Sequence, residues 1–211
     1  MKNEWRKSEK ELYIPKTKPQ LIDIPKFNYF AINGKGNPNS DYFIKYIEAL
    51  YAASYSVRMS HKSGFSLSDF FEYTVYPLEG IWDISDDEKQ KVNGVLNKDA
   101  LIYTLMIRQP SFVTKEFASE AIERASKKKD NPLIRDLQFI SLEDGQCVQM
   151  LHVGSFDNEP ETFKIMEEFC SQNNLERSSM QHREIYLSDF RKTQTDKLKT
   201  NLRFKVRRVK S

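Results

Sequence analysis

Two glutamates lie within otherwise apolar, strand-forming runs, and a carboxylate in such a place is a candidate base or cation partner. An unpaired buried charge costs several kcal/mol unless solvent, a partner or a ligand compensates it. In HREIYLSD, strand alternation puts His182, Glu184 and Tyr186 on one face and Arg183, Ile185 and Leu187 on the other. Two arrangements fit: Ile185 and Leu187 face the core while Glu184 meets bulk water, or Glu184 shares a covered face with a phenol and an imidazole. In YPLEGIWD, Glu79 lies between Leu78 and Gly80, three residues before Trp82. Pro77 and Gly80 there favour a bend over a regular strand, which leaves Glu79 open to a surface or a pocket placement.

Other chemistries find little support. His61, His152 and His182 sit on different predicted elements with no HExxH or HxH spacing, so no metal is expected. GxGxxG, a Walker loop and GxSxG are all missing, so no cofactor is expected. The lone GKG at Gly34–Gly36 suits a turn from strand to helix. Cys147 and Cys170 have no CxxC spacing and read as small buried apolar side chains without a disulfide.

These residues need elements to hold them. Phe27 to Ile32 reads as a strand running into a turn at Gly34, Gly36 and Pro38. Asn39 or Ser40 then caps a helix from Asp41 to about Met59, with Phe43, Ile47, Leu50 and Ser54 at helical spacing. FFEYTVYPLEGIWDI predicts a strand broken at Pro77, a charged loop follows, and ALIYTLMIR predicts its antiparallel partner. Thr114 to Ser126 predicts a helix connecting two halves. Gln138–Leu142 and Gln146–Val153 predict a hairpin turning at Asp144-Gly145. Asp157 or Asn158 caps a further helix with Pro160 in its first turn, and HREIYLSD and NLRFKVRRV close the chain as strands.

The order strand, helix, strand, strand thus occurs twice, echoed by AINGKGNPNS and LHVGSFDNEP. The expected fold is α+β: duplicated strand-helix-strand-strand (SHS2-like) halves at about 27–108 and 137–209 about a pseudo-two-fold axis. A helical connector at 109–136 joins them, an extension at 1–26 precedes them, and antiparallel sheets flank a central ligand cleft.

The 211 residues, 39% hydrophobic and 30% charged, suffice for a core and a pocket. No run of about 18 apolar residues offers a membrane span, and the charged start MKNEWRKSEKELY lacks a signal segment, so a cytoplasmic protein is expected. Net charge is +3, yet Arg191 to Ser211 carries nine Lys or Arg against one Asp, leaving the rest mildly acidic. Alternation of Leu202, Phe204 and Val206 with Arg203, Lys205 and Arg207 reads as an edge strand with a solvated cationic face, and nucleic acid is not an expected partner.

Taken in order, AINGKGNPNS before a helix ending SYSVRMSHK, then YPLEGIWD, then HREIYLSDFRK, the chain resembles the gyrase-inhibitor-like (GyrI-like) family from about Phe27 to Val209, its stand-alone members in particular. The resemblance implies a cleft for flat, apolar, often cationic compounds with a glutamate from the EIY-type strand at its floor, here Glu184. It implies aromatic walls at Trp82 and Tyr186; Tyr76, Tyr103 and Phe112 are added from nearby strands, and Glu79 and His182 from their place beside these motifs. Many relatives carry a DNA-binding helix-turn-helix, and the 26 residues before Phe27 are too few for one. Some stand-alone relatives hydrolyse the strained cyclopropane of cyclopropanoid DNA-alkylating natural products, which implies a detoxifying hydrolase with Glu184 and Tyr186 as catalytic groups. The alternatives are a sequestering or effector-sensing protein without chemistry, and a direct protein-interaction role such as topoisomerase inhibition. The ligand is a planar small molecule in the first two cases, and no oligomeric state is implied.

Overall fold

Strand-forming runs of aromatic and β-branched residues pair antiparallel throughout, and the chain builds two compact units from them. The computed structural model describes residues 2–65, 67–84 and 97–209. Unit 1 comprises Met1–Glu4 and Phe27–Leu142, and unit 2 comprises Trp5–Lys26 and Glu143–Ser211. In chain order the strands are β1 Gln20–Ile24, β2 Phe27–Lys35, β3 Leu78–Ile84, β4 Leu101–Gln109, β5 Gln138–Leu142, β6 Gly145–Val153, β7 Leu175–Arg177, β8 His182–Tyr186 and β9 Lys199–Arg208. The longer helices are Asp41–Arg58, Lys115–Lys128 and Glu159–Gln172. Among the described residues no helix is long and apolar enough to cross a membrane.

In unit 1, β2 lies between β4 and β5, and β4 also pairs with β3. Helix Asp41–Arg58 buries Phe43, Ile47, Leu50 and Ser54, the stripe read from its spacing. Ser40 occupies the N-cap in an extended conformation without a side-chain cap bond. Helix Lys115–Lys128 is capped by Thr114, whose oxygen accepts from the Phe117 amide. The expected connector is instead part of unit 1, packed on helix Asp41–Arg58 through Phe117, Ala118 and Ala121. The charged loop before Asn97 falls on residues 85–96, outside the described residues.

Unit 2 orders its strands β1, β6, β9, β8, with β7 also on β9. Val148, Met150, Leu202, Phe204 and Val206 form one apolar face, covered by Met166 and Cys170 of helix Glu159–Gln172. Three expectations change here. β5 pairs with β2 and β6 with β1 and β9, so Asp144-Gly145 does not close a hairpin; Asp144 instead forms ion pairs with Arg183 at 2.8 Å and Lys205 at 3.2 Å. β9 is not an edge strand, because β6 pairs along one side and β8 and β7 along the other. Its Arg203 is accordingly buried, donating to Gln149 Oε1 and the Leu12 carbonyl. Residues 5–26 are no appendage: Trp5, Tyr13 and Ile24 are buried and β1 extends the sheet.

Candidate functional site

The register of β8 on β9, with Glu184 opposite Leu202 and Tyr186 opposite Thr200, turns Glu184 towards the helix-covered face of unit 2. Ile185, on the other face, is fully buried, so β8 is covered on both sides and Glu184 does not look into bulk water. Glu184 is 8% exposed. Its Oε2 accepts from the Tyr186 hydroxyl at 2.7 Å, and its Oε1 lies 3.2 Å from His182 Nε2, which must donate because a carboxylate only accepts. The sequence therefore brought three predicted residues correctly to one face.

A fourth group completes the cluster. Glu159 opens helix Glu159–Gln172 and is 6% exposed. One oxygen from Glu159, one from Glu184 and a ring nitrogen of His182 lie within 4.8 Å of one another, so one small positive charge among them would meet all three. Burial, followed by the nearby Glu184 charge, pushes the Glu159 carboxyl well above the usual carboxylate range. Spacing rules for metal sites could not have found this set, because it joins a helix start to a strand. A signal was nevertheless present: Glu159, Thr162, Met166 and Cys170 recur on one helical stripe, and all four are buried.

Local geometry fixes that helix start. Gly154 takes φ 127°, a conformation other residues rarely adopt, and releases the chain from β6. His152 then pins the turn. Its Nε2 lies 2.9 Å from the Ser155 carbonyl, so it donates there, and its Nδ1 lies 2.8 Å from the Thr162 hydroxyl and accepts from it in the neutral ring. Beside the carboxylates, Phe156, Tyr186 and Phe190 form a triangle of half-buried rings with centroids 6.0, 6.1 and 6.3 Å apart. Phe163 stands edge-on to His182 at 4.8 Å. Phe156 and Phe190 were missed because the three-residue 3-10 helix Phe156–Asn158 and the turn at Phe190 are too short to carry a periodic signal.

The remaining predicted residues belong to unit 1. β3 is regular from Leu78 through Gly80 to Ile84, not bent, and Glu79 is 1% exposed rather than on the surface. The glycine is explained by packing: a Cβ at Gly80 would meet Trp82 Nε1 at 2.6 Å. Alternation places Glu79, opposite Met106, on one face of β3 and Trp82, opposite Tyr103, on the other. Trp82 and Tyr103 pack with Phe43 and with one another at 4.9–6.0 Å, and burial pushes the Tyr103 phenol up to about 12. The ring of Tyr76 lies 4.5 Å from the Arg108 guanidinium, which also stacks on Phe27 at 3.4 Å. Phe112 packs among Phe70, Phe71, Tyr73 and Phe117.

Residues 17–207 match the model of a family described as the GyrI-like small molecule binding domain. A crystal structure of a hydrolase from Listeria innocua is 36% identical, with a TM-score of 0.87 over 98% of this chain and 100% of that one. An uncharacterized conserved protein from Listeria innocua is also 36% identical, with a TM-score of 0.88 and the same coverage. The C-terminal domain of EcmrR shares the fold at 12% identity, with a TM-score of 0.56 over 94% of this chain and 99% of that one. No curated protein matches the chain.

Proposed function

Because the chain belongs to the GyrI-like small molecule binding domain family, we propose that it binds flat, apolar or cationic compounds beside Glu184 and opens cyclopropanoid DNA-alkylating compounds with water. The observation that carries the reading is the buried Glu184 carboxylate, held by Tyr186 at 2.7 Å and bordered by three half-buried rings. A carboxylate so placed can take a proton from water and stabilises positive charge. The rings of Phe156, Tyr186 and Phe190 offer faces to a planar guest, worth about 0.5–2 kcal/mol each for a cation. The 36% identity to a Listeria innocua hydrolase supports turnover over simple binding.

In the proposed step a water molecule loses a proton to Glu184 while its oxygen bonds to the cyclopropane methylene. The strained C–C bond breaks, and its electron pair moves into the conjugated ring to leave a phenolate. Tyr186 delivers its proton to that phenolate and regains one from Glu184, so both side chains end as they began. His182, donating to the other carboxylate oxygen, fixes the orientation of Glu184 throughout.

Mass spectrometry of a cyclopropanoid alkylator incubated with substoichiometric protein tests this. Many equivalents of water adduct are expected with wild type, and at least about 100-fold fewer with Glu184→Gln, which keeps the shape and removes the base. Undiminished turnover in that variant would remove Glu184 from the mechanism. Compound that stays intact while being retained stoichiometrically would identify a sequestering protein without chemistry.

A further inference from the structure

Two buried carboxyls and one imidazole share a space in which, among the described residues, no Lys or Arg ion pair takes part. Among the described residues neither Glu159 nor Glu184 has an ion pair with Lys or Arg; His182 is the one basic partner, at 3.2 Å from Glu184. Glu159 and Glu184 are 6% and 8% exposed, so solvent screens neither. Two ionised carboxylates this close and this dry repel strongly, and one of them must be neutralised. Oε1 of Glu159 is buried and receives no hydrogen bond, which leaves it free of any donor that would favour its ionised form. The groups facing Glu159 are His182 and Glu184 from β8 and Asp157 from the preceding turn. Asp157 adds negative charge.

We propose that Glu159 is the positioning residue of this site: it holds a proton and donates it to Glu184, so that the two carboxyls carry one negative charge between them. Glu184 then has three donors, Glu159 from the helix and His182 and Tyr186 from its own strand, and its carboxylate is fixed without a metal or a lysine. The chemical consequence is specific. A site with one net negative charge complements a monocation or a developing single positive charge, and it can take up the proton of the attacking water without becoming a neighbour to a second anion. Above the pH at which Glu159 ionises, the pair becomes a dianion, the hydrogen bond is lost and the two carboxylates push apart. The inference rests on reading Glu184 as the reacting base, but the proton itself can be read independently of turnover.

Infrared spectroscopy at pH 8, where ordinary carboxyls are ionised, is expected to show the C=O stretch of a neutral carboxylic acid in wild type and its loss in Glu159→Gln. Absence of the band in wild type, or its persistence in the variant, overturns the proposal. Turnover of the cyclopropanoid compound separates positioning from packing. Glu159→Gln, whose amide can donate in the proton's place, is expected to stay within about tenfold of wild type, whereas Glu159→Leu, of similar size without a donor, loses about 100-fold. The alkaline fall in wild-type kcat/KM is expected to vanish in Glu159→Gln. Equal losses in the two variants, or wild-type turnover that requires added zinc and is abolished by chelation, overturn the positioning role. Should wild type show no turnover at all, the hydrolase reading falls while the infrared band still decides where the proton lies.

Discussion

The chemistry of Glu184 depends on its immediate donors, and Tyr186 is the one that can be removed with least disturbance. Tyr186→Phe keeps the ring against Phe156 and Phe190 and deletes the proton carrier. Its turnover is expected to fall by about 10–100-fold while binding of a planar cation, followed by fluorescence titration, changes little. In unit 1 the corresponding single-atom constraint is Gly80. Gly80→Ala puts a methyl against the Trp82 indole, and a loss of about 1–3 kcal/mol in a urea unfolding experiment is expected, with a changed tryptophan emission. Residue by residue, the sequence made Glu184, His182 and Tyr186 legible because a strand has a period of two and all three share its parity. It hid Glu159 because an acidic residue in the first turn of a helix beside Pro160 is what helix electrostatics favours anywhere.

At the scale of elements, the site depends on a strand and a helix being held in fixed register. His152 ties β6, the Gly154 turn and Thr162 together, so the first turn of the helix that bears Glu159 cannot drift. Thr162→Val leaves a buried imidazole nitrogen without its partner; a destabilisation of about 1–3 kcal/mol is expected by thermal or urea melting. Most elements were legible because their apolar periods are long and bounded by glycine, proline or a cap. The strand pairings were not. Asp144-Gly145 carries the local chemistry of a tight turn, yet the strands on either side find partners far away in sequence, β2 for one and β1 and β9 for the other. The basic closing strand looked like an edge because its charges alternate. In fact Arg203 is buried against Gln149 and a carbonyl of residue 12, a distant partner that no local pattern contains.

For the molecule as a whole, the outcome of acidification can be worked out from Asp144. Burial alone would raise its pKa, but the combined pull of Arg183, Lys205 and Arg203 outweighs it and holds the carboxyl below its usual value. A depressed folded value means stabilisation that is complete above the unfolded value of about 3.9 and is lost as pH falls towards the folded one. Unfolding midpoints measured from pH 7 down to about pH 3 should therefore fall more steeply for wild type than for Asp144→Asn, with the variant weaker at pH 7. The amino-terminal segment is a second whole-molecule determinant. Carbonyls of Glu11 and Leu12 accept from the buried side chains of Gln149, Asn201 and Arg203. Deleting residues 5–19 would strand a buried guanidinium, at a cost of about 3–5 kcal/mol, and loss of folded unit 2 is expected in a proteolysis assay.

That interleaving sets a timetable for synthesis. Partners separated by 191 residues, Leu12 and Arg203, cannot meet until residue 203 has been made, whereas residues 27–142 can already close on themselves. The first strand must wait, unpaired, until β6 has been made. A message that stops before β9 would therefore leave β1 paired with β6 but take from β7 and β8 the strand that both share, and Glu184 would lose its place opposite Leu202.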